Sequence, residues 1–185
     1  GLAIRISNLN ADFMSFAAHP KKPKRLMASG HPAKGGNLGV MASDDGGITW
    51  AQISQGDGSP VDFHALAISA KDTQTVYGLF NGLQVSRDDG VSWKRVGNGP
   101  SGQVFGLAAS ARDTEILYAA TMEGLQVSKD DGKTWSQAFL MKRPATMINI
   151  APNGRMYAFI YGVGLLSANE TTLAWKTVSK DFQDR

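Results

Sequence analysis

The chain has 185 residues, of which 42% are hydrophobic and 19% charged, a balance that sustains a buried core within a single domain, 1–185. A formal charge of +3 is too small to point to nucleic acid, and the lack of cysteine removes disulfides, thiolate metal sites and a cysteine nucleophile. No apolar run approaches the roughly 18 residues of a membrane helix, and no signal peptide is visible, so no membrane insertion is expected.

In chain order, residues 1–10, opening "GLAIRIS", read as an outer strand whose sheet partners are missing. The apolar segment "DFMSFAAHP" follows, then "RLMASG", with the basic turn Lys21, Lys22, Lys24 and Arg25 between them. A long loop "SGHPAKGGN" spans 29–37, and the first polar hairpin, "SDDGGITW", spans 43–50. The same succession returns as "DFHALAISA", "TVYGLF" and "SRDDGVSW" at 86–93, then as "QVFGLAASA", "ILYAAT" and "SKDDGKTW" at 128–135. A weaker copy runs "TMINIAPN", "RMYAFI" and "ANETTLAW" at 168–175, and the closing "KDFQDR" looks like the lead into another first strand.

The chain therefore repeats. Trp50, Trp93, Trp135 and Trp175 stand 43, 42 and 40 residues apart, and Gly39, Gly82, Gly124 and Gly164 each precede a hairpin by four residues. Each unit offers four strand-sized pieces, A to D, with turn residues between them. A lone four-stranded sheet leaves both faces wet, and stacking copies buries them. The period and strand count predict an all-β chain of β-propeller blades at about 11–60, 61–101, 102–143 and 144–180, with 1–10 as the outer strand of an incomplete blade and the whole as part of a larger propeller. Open blade faces would favour self-association.

The hairpins read Ser-x-Asp-x-Gly-x-Ser/Thr-Trp, carried by Ser43, Asp45, Gly47 and Trp50, by Ser86, Asp88, Gly90 and Trp93, and by Ser128, Asp130, Gly132 and Trp135; the fourth copy keeps only Trp175. This motif resembles the Asp-box, or BNR repeat, of sialidases, sortilin-type receptors and photosystem II assembly factors. The resemblance implies the propeller fold and an extracytoplasmic setting, and it spans enzymes and binding proteins alike. The box aspartates read as structural: an Asp carboxylate accepts backbone N–H bonds and closes the turn, while glycine supplies positive φ. A calcium loop needs more oxygen ligands. The second acids, Asp89 and Asp131, read as solvated, since Gly46 replaces them in the first copy.

Antiparallel connectivity puts the A–B turns and boxes at one end of each blade, and the starts of strand A and the B–C loops at the other. The second end carries the candidate ligand residues Asp12, His31, Lys34, Asp62, His64, Gln103, Glu123 and Tyr161, with Met14, His64, Phe105 and Met147 aligned just inside. His31, Asp62 and His64 could ligate a divalent metal, or the Asp12, Asp62, His31 and His64 group could act as acid and base; the plainer reading is strand-capping aspartates and a space-filling histidine. His19 reads as a turn residue, and the basic turn as a solvated one. A sialidase is disfavoured, because Arg25, Arg87, Arg112 and Arg155 fall at the box end, Arg95 falls in an outer strand, and only Arg143 and Arg185 could approach the other end. A non-catalytic module for a protein or carbohydrate ligand is the expectation, with a sialidase-like glycoside hydrolase or a metal-dependent hydrolase as the alternative.

Overall fold

Each repeat closes into one antiparallel sheet. The computed structural model describes residues 4–7 and 9–179. Strands β1 (Ala11–Ala18), β2 (Leu26–Pro32), β3 (Val40–Ser43) and β4 (Ala51–Ser54) pair in chain order. So do β5 (Ala65–Ile68), β6 (Val76–Leu79), β7 (Leu83–Ser86) and β8 (Lys94–Gly97), and β9 (Val104–Ala109), β10 (Leu117–Thr121), β11 (Gly124–Ser128) and β12 (Ser136–Gln137). The fourth sheet holds β13 (Ala145–Ile150), β14 (Arg155–Ile160), β15 (Gly164–Asn169) and β16 (Lys176–Ser179). No helix occurs among the described residues. These are four β-propeller blades.

The chain divides into two compact units. The first gathers the β1–β4 sheet and nearly all of the β5–β8 sheet, and the second gathers the β9–β12 and β13–β16 sheets. In the first unit, Met27 and Val40 of one sheet share a core with Phe63, Leu66 and Trp93 of the next. In the second, Tyr118, Leu125 and Val127 share a core with Ala145, Ile148 and Trp175. Burying one such Leu, Ile or Phe contributes about 1.5–3 kcal/mol, so sheet-on-sheet contact rather than strand pairing alone holds each unit together. A hydroxyl also ties the first two sheets: Ser29 Oγ donates to Gly39 O at 2.8 Å and accepts from Phe63 N at 2.8 Å.

The boxes are built alike. Ser43 Oγ donates to Asp45 Oδ1 at 2.7 Å and accepts from Gly47 N at 2.9 Å. Asp45 accepts from the backbone N–H of Ile48 and Thr49, and from Thr49 Oγ1 at 2.6 Å. Ser86, Asp88 and Ser92 repeat this, as do Ser128, Asp130 and Thr134. Each indole then donates to the box glycine carbonyl: Trp50 to Gly47 at 3.0 Å, Trp93 to Gly90 at 2.9 Å and Trp135 to Gly132 at 3.1 Å. The fourth copy lacks this turn. Leu173 N and Thr172 N bond to Asn169 O instead, and Trp175 Nε1 points to Ala138 O at 3.4 Å.

The bonds from Thr49, Ser92 and Thr134 hold the three carboxyls below the usual aspartate range, and Asp130 is lowered to about 2. A carboxyl whose folded pKa lies below its unfolded value of about 3.9 stabilises the fold above that pH, and the contribution is lost as pH falls through the folded pKa. Melting temperatures measured from neutral to strongly acidic pH should therefore drop mainly between about pH 4 and about pH 2, and Asp130→Asn should flatten that drop. A melting temperature indifferent to pH across this interval would remove the boxes as anchors.

Three expectations need correction. Residues 4–7 and 9–10 form no strand; Arg5 Nε donates locally to Ser7 O at 2.7 Å and Leu9 N to Ser7 Oγ. The rest of 1–10, together with "KDFQDR" and Arg185, lies outside the described residues. Asp89 is not merely solvated: Arg25 donates from Nη1 to Asp44 at 2.9 Å and from Nη2 to Asp89 at 3.1 Å, with its own side chain only 12% exposed. Asp89, Asp131 and Gly46 also share a backbone demand, with φ of 59°, 64° and 83°, a region open to Gly and tolerated by Asp. Finally, β2 continues through Pro32, so the first part of the expected 29–37 loop is strand.

Candidate functional site

In the first unit, the end where β1 and β5 begin holds Asp12, His31, Lys34, Asp62 and His64. Asp12 and His31 are register partners across β1 and β2. Gly30, next to His31, lies so tightly against the Asp12 carbonyl that no Cβ fits there. Asp62 and His64 precede β5, and His64 N donates to Leu79 O at 2.9 Å, which continues the β5–β6 ladder by one residue. The His64 imidazole Nε2 stands 3.5 Å from Asp62 Oδ2, its ring 6.2 Å from Phe80.

Exposure separates the two partners. The His64 side chain is 56% exposed and the Asp62 side chain 10%. Asp62 Oδ1 is buried and meets no hydrogen-bond donor among the described residues. The pair thus sets an exposed imidazole beside a carboxylate that is almost fully buried. Lys34 lies on the exposed loop with Gly35 and Gly36, both at positive φ and with open space around them. The loop is fixed at its base by Leu38 N to Gly30 O at 2.8 Å and Asn37 Nδ2 to Pro60 O at 2.9 Å. Among the described residues no three His, Asp or Glu side chains gather closely enough to hold a metal ion, so His31, Asp62 and His64 do not form the expected ligand set. His31 sits opposite Asp12 on the β1–β2 ladder, whereas Asp62 and His64 make their own pair.

In the second unit, the corresponding end holds Gln103, Glu123 and Tyr161. Glu123 is already engaged, accepting from Ser101 Oγ at 2.9 Å. The Gln103 carbonyl accepts from Met122 N at 2.9 Å, and Tyr161 N donates to Pro144 O at 2.8 Å. Tyr161 is 56% exposed, and around it in the topology stand Phe105, Met122, Met141 and Met147, all exposed apolar side chains. The Arg143 guanidinium packs against Gly162, whose φ of 70° is one that favours glycine.

The first strands are bulged near their starts. Register breaks leave one extra residue at Met14 in β1, at Phe105 in β9 and at Thr146 in β13. Thr146, not Met147, is thus the fourth copy's equivalent of Met14 and Phe105. Such bulges turn a side chain out of the ladder toward the sheet's end. Two further residues escaped the sequence reading. Gln84 Oε1 accepts from Asp57 N at 3.0 Å, and Gln126 bonds both Ser101 N and Ser101 O, so each buried glutamine pins the loop that leads into its own sheet. Their signal was the near-identity of "GLQVSRDDG" and "GLQVSKDDG".

At the box end, His19 is buried as a turn residue. Its Nδ1 accepts from Lys21 N and Lys22 N at 3.1 Å each, and burial pushes its pKa down. Arg25 is taken up by Asp44 and Asp89, and Arg87 reaches Thr75 Oγ1 and the Tyr77 ring. Shallow hollows of about 270 and 250 Å³ lie beside the first box and the β15–β16 hairpin.

The sequence model of the BNR/Asp-box repeat matches residues 126–137, the third box. This chain carries the BNR/Asp-box repeat. The other two boxes reproduce its Asp-box geometry bond for bond, as described above. Among solved structures, the chain is similar to the GH74 enzyme of Niastella koreensis (15% identity, TM-score 0.67, covering 89% of this chain and 29% of that one). It is also similar to the GH74 xyloglucanase of Xanthomonas campestris (22% identity, TM-score 0.62, 89% and 25%) and to YCF48 bound to D1 peptide (19% identity, TM-score 0.60, 91% and 55%). At these identities the likeness concerns the fold alone. The chain spans about a quarter to just over half the length of these structures. No curated protein sequence matches it.

Proposed function

We propose that the chain is a non-catalytic binding module and that its ligand is a polypeptide, taken at the strand-A end of the second unit. The observation that carries this reading is the set of exposed apolar side chains there: Phe105 at 39%, Met122 at 49%, Met141 at 44%, Met147 at 38% and Tyr161 at 56%. Strands β9 and β13 run side by side, so the loops bearing these residues share one end. Exposed methionine is an adaptable contact for apolar peptide side chains, and an aromatic residue supplies rigid area. Arg143 adds a cation at the rim. The likeness to YCF48 bound to D1 peptide supports a peptide-binding fold of this kind.

A second reading is favoured by one feature only, the Asp62–His64 pair, which has the composition of an acid–base site, on a fold similar to that of GH74 enzymes. Both readings are tested together. The chain is titrated by calorimetry with apolar and with acidic unstructured peptides, and with xyloglucan oligosaccharides, alongside a reducing-sugar assay. Peptide binding that weakens about tenfold in Phe105→Ala or Tyr161→Ala is the expected result. Sugar release abolished by Asp62→Asn would overturn it in favour of the hydrolase, and saccharide uptake without peptide uptake would replace the ligand class.

A further inference from the structure

We propose that His19 makes the turn between β1 and β2 an acid-released latch. Its imidazole closes that turn only while Nδ1 carries no proton, so protonation opens residues 19–25 and loosens the Arg25 bridge to the box of the next sheet. The proposal is independent of the ligand reading above, and every charged group it invokes lies within the first unit.

The chain's own repeats show what is unusual about His19. His19 N donates to Arg25 O at 3.0 Å and Ser110 N to Ile116 O at 2.9 Å, so the two turns share one backbone frame. In the later copy, Ser110 Oγ accepts from Arg112 N and Asp113 N, two and three residues on, at 3.0 Å each. Ser69 Oγ stands at the same place in its own turn and accepts from Asp72 N at 3.4 Å. His19 Nδ1 accepts from Lys21 N and Lys22 N, again two and three residues on, at 3.1 Å each. One copy thus uses an imidazole nitrogen where two others use a hydroxyl. The hydroxyl does not titrate in the physiological range, and the imidazole does.

The geometry admits one protonation state. Two N–H groups point at Nδ1, so the proton of the neutral ring sits on Nε2. A second proton, on Nδ1, would face two donors and no acceptor, and both bonds would be lost together. The ring is 5% exposed, so water does not replace them unless the turn moves. Lys22 and Arg25, from its own turn, oppose a positive ring, and Asp89, from the box of the second sheet, favours one. Asp44, from the first box, is joined to Arg25. Burial outweighs Asp89 and holds His19 below the ordinary histidine value of about 6.5. The cap therefore contributes in full above that pH, and its contribution is lost as pH falls toward the folded value. The box carboxyls lose theirs only below about pH 4, so the two effects are separable.

The turn holds more than itself. Arg25 N donates to Lys22 O at 2.9 Å, which fixes where the arginine side chain starts on its way to Asp44 and Asp89. Lys24 O accepts from Gly46 N at 3.0 Å, which ties the first box to the same segment. Opening the turn releases these bonds and sets an imidazolium among Lys21, Lys22 and Lys24. Mild acid thus weakens the charged tie between the first two sheets while their apolar core stays in place.

The test follows the His19 ring and the Lys21 and Lys22 amides by NMR from about pH 7.5 to about pH 5. The ring should titrate below about 6.5. Amide exchange at the two lysines, corrected for its intrinsic pH dependence, should quicken on the order of tenfold across the interval. His19→Ser installs the cap of the other copies and should remove that dependence, and His19→Asn supplies a longer non-titrating acceptor with the same expected result. Asp89→Asn, which takes away the one anion favouring the charged ring, should move the His19 titration lower still. A ring that titrates at or above the ordinary value, lysine amides that do not respond as the ring titrates, or the same quickening in both His19→Ser and His19→Asn would each overturn the proposal.

Discussion

Trp93→Ala is expected to destabilise the chain by about 3–5 kcal/mol, enough to unfold much of a marginally stable domain. The indole is 8% exposed and packs tilted against Phe63 with centroids 4.7 Å apart, inside a core that includes Met27, Val40 and Leu66. Its Nε1 also donates to the Gly90 carbonyl at 2.9 Å, closing the hairpin whose backbone Asp88 and Ser86 already hold. Truncation removes both the apolar contact and the bond, and leaves a cavity between two sheets that packing elsewhere cannot fill. Urea unfolding followed by circular dichroism measures the loss. Trp50→Ala is the internal control: the same bond and the same phenylalanine contact are present, but its sheet face is not covered by another described sheet, so the loss should be clearly smaller. Equal losses at both positions would mean that the hairpin bond, not the contact between sheets, dominates.

The comparison of Trp93 with Trp50 also marks what could be read from the residues. Each box is local, and its recurrence reveals the period and strand count; the structure realises the boxes bond by bond in three copies. Asp62 and His64 were read as members of a larger group, and of that group these two, separated by one residue, stand 3.5 Å apart. Arg25 and Asp89 are 64 residues apart, and no local rule pairs them. The shared need of Gly46, Asp89 and Asp131 for a left-handed backbone was masked by reading the acids as charges rather than as residues that tolerate that φ. Alignment of Met147 with Phe105 failed by one residue: the bulge that marks the equivalent position lies at Phe105 in β9 and at Thr146 in β13, and the residue pattern alone does not show where a bulge falls. His31 and Lys34 were placed with Asp62 on loop length alone, while the strand in fact runs on through Pro32 and takes His31 into the ladder opposite Asp12.

Gly30→Ala carries the second large effect, and it bears on that ladder. A Cβ at this position would overlap the Asp12 carbonyl oxygen and lie 2.9 Å from the Phe13 Cα, all of it backbone, so no side-chain rotation can relieve the clash. Strand β1 would have to move away from β2, breaking the Asp12–His31 and Phe13–Gly30 pairings at a point where the register already shifts between Phe13 and Ser15. Overpacking of this kind costs about 1–3 kcal/mol where side chains can yield, and the backbone contact puts Gly30→Ala at or above the top of that range. The damage should be directional. Amide exchange should quicken across β1 and β2 while β9, β10, β13 and β14, in the other unit, keep their protection. Undiminished protection of β1 in Gly30→Ala would show that the two strands are not held as close as their pairing implies.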